Sequence, residues 1–228
     1  MVGLSVESVT IQGSERHSIL SISSFTADPG EKIGICGPSG AGKSTFLYVL
    51  SGLVVPKRGK IFWNGVDLVS LSGSKRDRFK HQFIGLIFQE PCLFEELSAL
   101  ENASLASSFI SRSKRRNIQE KAAYYLKRLG VADTSKKVVT FSGGERQRVA
   151  VARALAGDPG VILADEPTAA LDRENRNLIM DDLVRFTGQD NRTLIMVSHD
   201  WEALDRMDRV IEIRDGKIVI DPSWTEEV

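Results

Sequence analysis

Apolar residues fall into two kinds of run along this chain. Near the N-terminus they alternate with polar ones, in Leu4-Ser5-Val6-Glu7-Ser8-Val9 and Ser18-Ile19-Leu20-Ser21-Ile22. A period of two puts every second side chain on one face, so these runs predict antiparallel strands reversing at Gly13-Ser14-Glu15. Elsewhere the apolar runs are unbroken. Residues 31–36 predict a short buried strand, entered through a tight turn at Asp28-Pro29-Gly30, and residues 193–197 predict another strand. Val161-Ile162-Leu163-Ala164 is apolar on both faces and predicts a central parallel strand. Pro56-Lys57-Arg58-Gly59 turns into a strand at Lys60-Ile61-Phe62-Trp63, with Asn64-Gly65 as a hairpin signal. Residues 84–88 predict a further strand. Val210-Ile211-Glu212-Ile213 and Lys217-Ile218-Val219-Ile220, around Asp215-Gly216, predict a closing hairpin.

Helical spacing covers residues 44–51, 75–83, 98–129, 149–157 and 174–186. The long stretch from 98 to 129 carries no strand signal. The pattern predicts one α/β domain over residues 1–228, whose core and antiparallel β subdomain use 1–90 and 158–228. Residues of about 91–157 form an inserted α-helical subdomain.

The polar residues that interrupt this pattern sit where strands end. Gly37-Pro38-Ser39-Gly40-Ala41-Gly42-Lys43-Ser44-Thr45 fits G-x-x-x-x-G-K-[ST] between a strand and a helix, which is the phosphate-loop context. Glycines let backbone N–H groups turn inward around phosphate oxygens, and the next helix points its positive end at the same anion. Lys43 supplies a mobile cation for the β and γ phosphates, and the Ser44 hydroxyl is placed to ligate Mg²⁺. The motif predicts a nucleoside triphosphate site.

Asp165 and Glu166 cap the strand at 161–164. After a phosphate loop this is where a Mg²⁺-associated Asp belongs, and Glu166 beside it would orient or deprotonate a water. For Glu166 alone, capping the next helix is a competing reading. Ser142-Gly143-Gly144 opens a helix and is a second ready-made anion site. One nucleotide does not easily use two such loops, which hints at two sites meeting across a dimer. Gln89 and His199 sit at the ends of two further strands, where ligands bind in doubly wound sheets. Position alone leaves Gln89 open between ligand contact and a solvated loop residue. A lone His is more often structural than a phosphate contact.

Composition narrows the partners. The 228 residues are 42% hydrophobic and 26% charged, with 30 basic and 30 acidic side chains. That neutral balance argues against sustained nucleic-acid contact. Arg112-Ser113-Lys114-Arg115-Arg116 is too short for a strong patch and reads first as a solvated turn, with a phospholipid or partner contact as the alternative. Cys36 and Cys92 are not at metal-ligand spacing and suggest no disulfide framework, which fits a reducing compartment; Cys36 reads as a small core residue. The N-terminus lacks the basic and apolar regions of a signal peptide, and no window approaches the ~20 apolar residues of a membrane span. Work at a membrane would need another polypeptide to cross it.

Taken together in this order and spacing, the motifs resemble the ATP-binding subunit of an ABC transporter over nearly the whole chain. The resemblance implies a P-loop NTPase (RecA-like) core. It makes residues 37–45 the family's Walker A and Gln89 the Q-loop glutamine, which helps hold Mg²⁺ and the attacking water and senses the membrane partner. Ser142-Gly143-Gly144-Glu145 matches the signature loop, which meets the γ-phosphate of ATP held by the opposite subunit. Asp165 matches the Walker B aspartate, Glu166 the catalytic glutamate, Ala169-Ala170-Leu171-Asp172 the D-loop and His199 the switch histidine. The family implies ATP and Mg²⁺ as cofactors, a head-to-tail dimer with a second copy, and integral membrane subunits as partners. It also implies a peripheral place on the cytoplasmic face of the inner or plasma membrane.

Gly-Glu-Arg-Gln-Arg after Ser142-Gly143, Ala-Asp-Glu-Pro-Thr, and Ala99-Leu100-Glu101-Asn102-Ala103 are similar to a branch that includes lipoprotein-release, macrolide-export and division-associated subunits. Four departures from the family stand out. Residues 11–17 lack the aromatic that stacks on adenine, His17 being the nearest ring; Phe141 stands for the usual leucine; Glu145 stands for the commoner glutamine; and Lys136-Lys137-Val138-Val139-Thr140 lacks the proline often found shortly before the signature. Transport of an amphiphile and ATP-driven regulation of a membrane partner without transport use the same residues. A soluble translation or repair ATPase would add a second cassette or a coiled coil, and this chain has neither.

Overall fold

The computed structural model describes residues 3–13, 18–109, 112–169, 171–189 and 191–219. Two sheets and a block of helices make up the fold of the described residues. The first sheet is antiparallel, with β1 (Leu4–Gln12) between β2 (Ser18–Ala27) and β4 (Arg58–Trp63), and the short β5 (Val66–Asp67) at its edge. The second has six strands in the order β10 (Lys217–Val219), β9 (Arg209–Arg214), β3 (Lys32–Cys36), β8 (Thr193–Val197), β7 (Val161–Asp165), β6 (Ile84–Ile87). Its strand pairings are parallel except at the β9–β10 hairpin, which closes one edge. This is a P-loop NTPase core with an N-terminal antiparallel β subdomain and an inserted α-helical subdomain.

The unbroken apolar runs explain the layering. All five residues of β7 and all five of β8 are buried. Alternate side chains go to opposite faces: Val161, Leu163, Ile195 and Val197 join a core with the antiparallel sheet and α1 (Lys43–Leu50). Ile162, Ala164, Leu194 and Met196 join a second core with α5 (Gly143–Ala156) and α6 (Arg173–Gln189). Trp63 fastens the antiparallel sheet to α1; it is fully buried, and its indole N–H donates to the Leu50 carbonyl at 2.9 Å.

Both hairpins signalled in the sequence form. Asn64 and Gly65 have φ of 50° and 76°, and Asp215 and Gly216 have 46° and 72°, the pair of left-handed residues that a two-residue turn matching strand twist requires. The turn between β1 and β2, at residues 14–17, lies outside the described residues.

The helical stretch is more broken than its pattern predicts. It contains α3 (Ala99–Ala103), a 3₁₀ turn at Leu105–Phe109 and α4 (Arg112–Arg128). The basic run 112–116 is the first turn of α4 rather than a turn between helices, and the side chains of 112–114 lie outside the described ones. Helix α5 begins at Gly143, six residues before the expected start at 149. Ser142 caps it: its hydroxyl accepts from the Glu145 N–H at 3.3 Å, and the Glu145 carboxylate accepts from the Ser142 N–H at 2.8 Å. The polar Glu-Arg-Gln-Arg run hides this start from an apolar periodicity. Two other helices are less regular: α2 (Gly73–Phe83) buries none of its residues and leads into β6, and α7 (Trp201–Leu204) is a single turn capped by Asp200, too short to show a period.

A single buried asparagine organises the entry to the helical block. Asn102 in α3 is fully buried; it accepts from the Phe94 N–H at 2.8 Å and donates to the Phe94 and Ser98 carbonyls, each at 3.0 Å. Alanine there removes the partners of part-buried backbone groups and empties a fully buried side-chain position, which together cost about 2–4 kcal/mol. Asn102→Ala is therefore expected to lower the thermal unfolding midpoint by roughly 5–15 °C, read by calorimetry on the full chain.

Candidate functional site

Because β3, β6, β7 and β8 run parallel, their carboxyl ends share one edge of the sheet, and the segment after each strand emerges there. The phosphate loop comes after β3. Gly37 has φ of 133°, and a Cβ on it would lie 2.1 Å from the Ile213 carbonyl oxygen, so the loop passes β9 at a distance only glycine permits. Gly40, with φ of 77°, faces open space instead. Lys43 is almost wholly buried, and its Nζ donates to the Gly37 and Pro38 carbonyls, both at 2.9 Å. Two of its three hydrogens brace the loop; the third remains for an anion.

Asp165 ends β7 with only 1% of its surface exposed. The Ser44 hydroxyl donates to its Oδ1 at 3.0 Å and the Tyr48 phenol to its Oδ2 at 2.7 Å. Burial, then the contact with Asp165, pushes the Tyr48 phenol far above its ordinary range, so it remains a donor. Ser44 and Tyr48 are one helical turn apart on α1, which is why both meet one carboxylate. Ser44 and Asp165 are hard oxygen donors beside Lys43, the donor set that suits Mg²⁺ better than a softer metal.

Glu166 leaves the strand with φ of 46°, held by its N–H on the Val197 carbonyl at 3.0 Å. A left-handed glutamate is uncommon, and here it swings the side chain away from Asp165 towards the strand that carries His199. Its Oε1 lies 3.1 Å from His199 Nε2. Burial raises its carboxyl above the usual carboxylate range, while the nearby His199 and Lys43 hold it down.

These parts line one cleft of about 740 Å³, to which Ser39, Gly40, Lys43, Ser44, Gln89, Glu166 and His199 all contribute. Asp165 lies beneath it, and the Ala41 side chain belongs to the core, so that residue offers only backbone. Thr168 and Arg176 also line the cleft, and no sequence signal singles them out. Arg176 pairs with Asp200 at 3.1 Å and donates to the Leu171 carbonyl at 3.3 Å, joining the segment after β7 to the one after β8. Tyr48 could have been found, from its position four residues after Ser44 on a helix whose other face is core.

Ser142, Gly143, Gly144 and Glu145 lie at the start of α5 and do not line this cleft. The Ser142 N–H and hydroxyl both reach Glu145 Oε2, at 2.8 and 2.9 Å, and these contacts draw the Glu145 carboxyl below its ordinary range. Asp172 caps α6: Oδ1 accepts from the Asn175 N–H at 3.0 Å, which lowers its carboxyl likewise. Arg148 of α5 donates to the Asn175 side chain, so the two helix starts are linked. Phe141 is buried and fills the usual leucine position without displacing the cap. His17 and Ala170 lie outside the described residues.

Known proteins match this chain over most of its length. The family model described as ABC transporter matches residues 20–169. The chain is 38% identical over 209 residues to the lipoprotein-releasing system ATP-binding protein LolD of Coxiella burnetii, covering 91% of this chain and 90% of that one. It is 40% identical over 210 residues to LolD of Syntrophus aciditrophicus, covering 92% and 94%. Among solved structures, the dimeric post-hydrolysis state of the ATP-binding cassette MJ0796 bound to ADP and Pi superposes with a TM-score of 0.85 at 33% identity, over 96% of this chain and 97% of that one. CbiO1 from Clostridium perfringens, part of the ABC transporter complex cbiONQ, gives a TM-score of 0.82 at 27% identity, over 95% and 86%. A phosphate loop, a serine hydroxyl on the buried Asp165 and a raised carboxyl at Glu166 thus stand within a match that spans most of the chain, and the protein belongs to the ABC transporter family as an ATP-binding, ATP-hydrolysing subunit.

Proposed function

We propose that this chain is the energy subunit of a transporter whose membrane-crossing subunits are separate polypeptides, and that its substrate is a lipoprotein or a similar lipid-linked amphiphile. The cleft carries the ATPase part of the reading: a lysine-braced phosphate loop and a half-buried, His199-contacted glutamate face the same space. Similarity to two LolD proteins supports the substrate class. Among the described residues no helix is long and apolar enough to cross a membrane, which suits a peripheral place on the cytoplasmic face beside such subunits.

The roles are those the family resemblance implies, and the positions of the residues around the cleft support them. Backbone N–H groups of Gly37, Ser39, Gly40, Ala41, Gly42, Lys43, Ser44 and Thr45 wrap the phosphates, with Pro38 shaping the turn, and Lys43 gives its remaining hydrogen to the β and γ groups. Ser44, Asp165 and Gln89 hold Mg²⁺, which when bound neutralises charge on the β and γ oxygens. Glu166 takes the proton of the attacking water; its raised proton affinity suits a base better than that of an ordinary glutamate. His199 fixes the Glu166 carboxylate and reaches towards the γ-phosphate.

Ser142, Gly143, Gly144, Glu145 and Asp172 lie outside the cleft, and in this reading they complete the site of a second copy arranged head to tail. Residues of about 91–157 act as the helical subdomain that carries this second anion site. Gln89, on the segment between that block and the core, answers to the membrane subunits.

Glu166→Gln is expected to retain ATP binding while hydrolysis falls by about 10²-fold or more. The acid limb of the pH profile is expected above the usual glutamate range, because the active form is deprotonated and is lost as pH falls through the raised value. That limb should vanish in Glu166→Gln. Hydrolysis at the wild-type rate in this variant would remove the assignment of the base. Lys43→Ala is expected to weaken ATP binding by at least about tenfold by calorimetry, since a charged hydrogen bond is lost. Affinity purification from gently solubilised native membranes tests the partner: an integral membrane protein with a large extracytoplasmic domain is expected, and exclusively soluble or ribosomal partners would overturn the transport reading.

A further inference from the structure

The geometry points to Tyr48 as a positioning residue for the Mg²⁺ site, holding the Asp165 carboxylate in the orientation from which it serves the metal. This inference rests on the reading of Asp165 and Ser44 as the metal-holding pair.

A carboxylate at a strand end has a freely turning terminal torsion unless both oxygens are held. At Asp165 both are: Oδ1 by Ser44 at 3.0 Å and Oδ2 by Tyr48 at 2.7 Å. Ser44 is itself a proposed metal ligand, and its oxygen can face a cation through a lone pair while its hydrogen stays on Oδ1. One held oxygen still lets the carboxylate swing about that contact. The Tyr48 phenol is the described contact that holds the second oxygen, Oδ2, and so fixes the carboxylate plane. Each carboxylate oxygen accepts more than one hydrogen bond, so the phenol leaves Oδ2 able to serve a metal-bound water as well.

The phenol is in turn fixed from the other side. Its ring packs against Phe88 with centroids 6.0 Å apart and planes tilted by 49°. Phe88 comes directly after β6 and immediately before Gln89, the other proposed metal contact. Tyr48 therefore bridges the carboxylate and the segment that carries the glutamine. Groups that orient a metal's direct partners typically matter about 10–100-fold for metal affinity when removed.

Tyr48→Phe removes one oxygen and keeps the ring against Phe88. In the full chain, this variant is expected to need about tenfold more Mg²⁺ for half-maximal ATP hydrolysis. ATP affinity measured by calorimetry in EDTA should be unchanged. With Mn²⁺ as the spectroscopic probe, paramagnetic resonance in the presence of ATP should show weakened metal binding of the same size. An unchanged Mg²⁺ requirement would overturn the inference. So would an equal loss of ATP affinity with and without the metal, which is what a purely structural role in α1 produces. Asp165→Asn, run alongside, separates the two levels of the argument. If it leaves the Mg²⁺ requirement unmoved, the assignment of the metal pair fails; if it raises the requirement and Tyr48→Phe does not, only the role of Tyr48 fails.

Discussion

Asp165 is a charged group at the end of a strand buried on both faces, and much of the site is arranged around satisfying it. A carboxylate with 1% exposure and no donors would be very costly to keep ionised. Two donors from a single turn of α1 meet it, so the helix after the phosphate loop must lie across the end of β7 at a fixed height. That constraint places the loop itself, since the same helix starts at Lys43. The core that packs α1 against β7 and β8 supplies the apolar pressure, and the buried carboxylate sets the register.

Glu166 shows the same economy one residue later. Asp165 lies under the cleft and Glu166, with its left-handed backbone, lines it, while the neighbouring Asp165 charge still adds to the upward push on the Glu166 carboxyl. The two carboxyls then have different surroundings and suit different chemistry, one holding a donor on each oxygen, the other raised by burial and touched by a histidine. Strain at Glu166 is held by its N–H on β8, so the base is fixed to the same strand that delivers His199.

Most of the core was legible because its signals are local. Unbroken apolar runs gave β3, β7 and β8; left-handed dipeptides gave both hairpins; and the phosphate loop stood in its strand-to-helix setting. What escaped depends on contacts distant in sequence or on short-range capping. The start of α5 was hidden because Ser142 and Glu145, rather than apolar spacing, decide it. Arg176 joins Leu171 to Asp200 across two loops, and no pattern along the chain reports that. Tyr48 was in reach from its spacing, yet a tyrosine among Phe46, Leu47, Val49 and Leu50 looks like one more core residue until its hydroxyl is traced.

The distance between the cleft and the Ser142 capping box bears on how the protein is kept quiet. In the proposed reading a lone copy holds two halves of different sites and no complete one. Turnover then depends on the square of chain concentration when chains are scarce, and dilution acts as an off switch. Membrane subunits that hold two copies side by side act as a concentrator, raising the local concentration towards the millimolar range that short tethers give. Copies adrift from the membrane would consume almost no ATP, so the cell would need no separate inhibitor for surplus subunits.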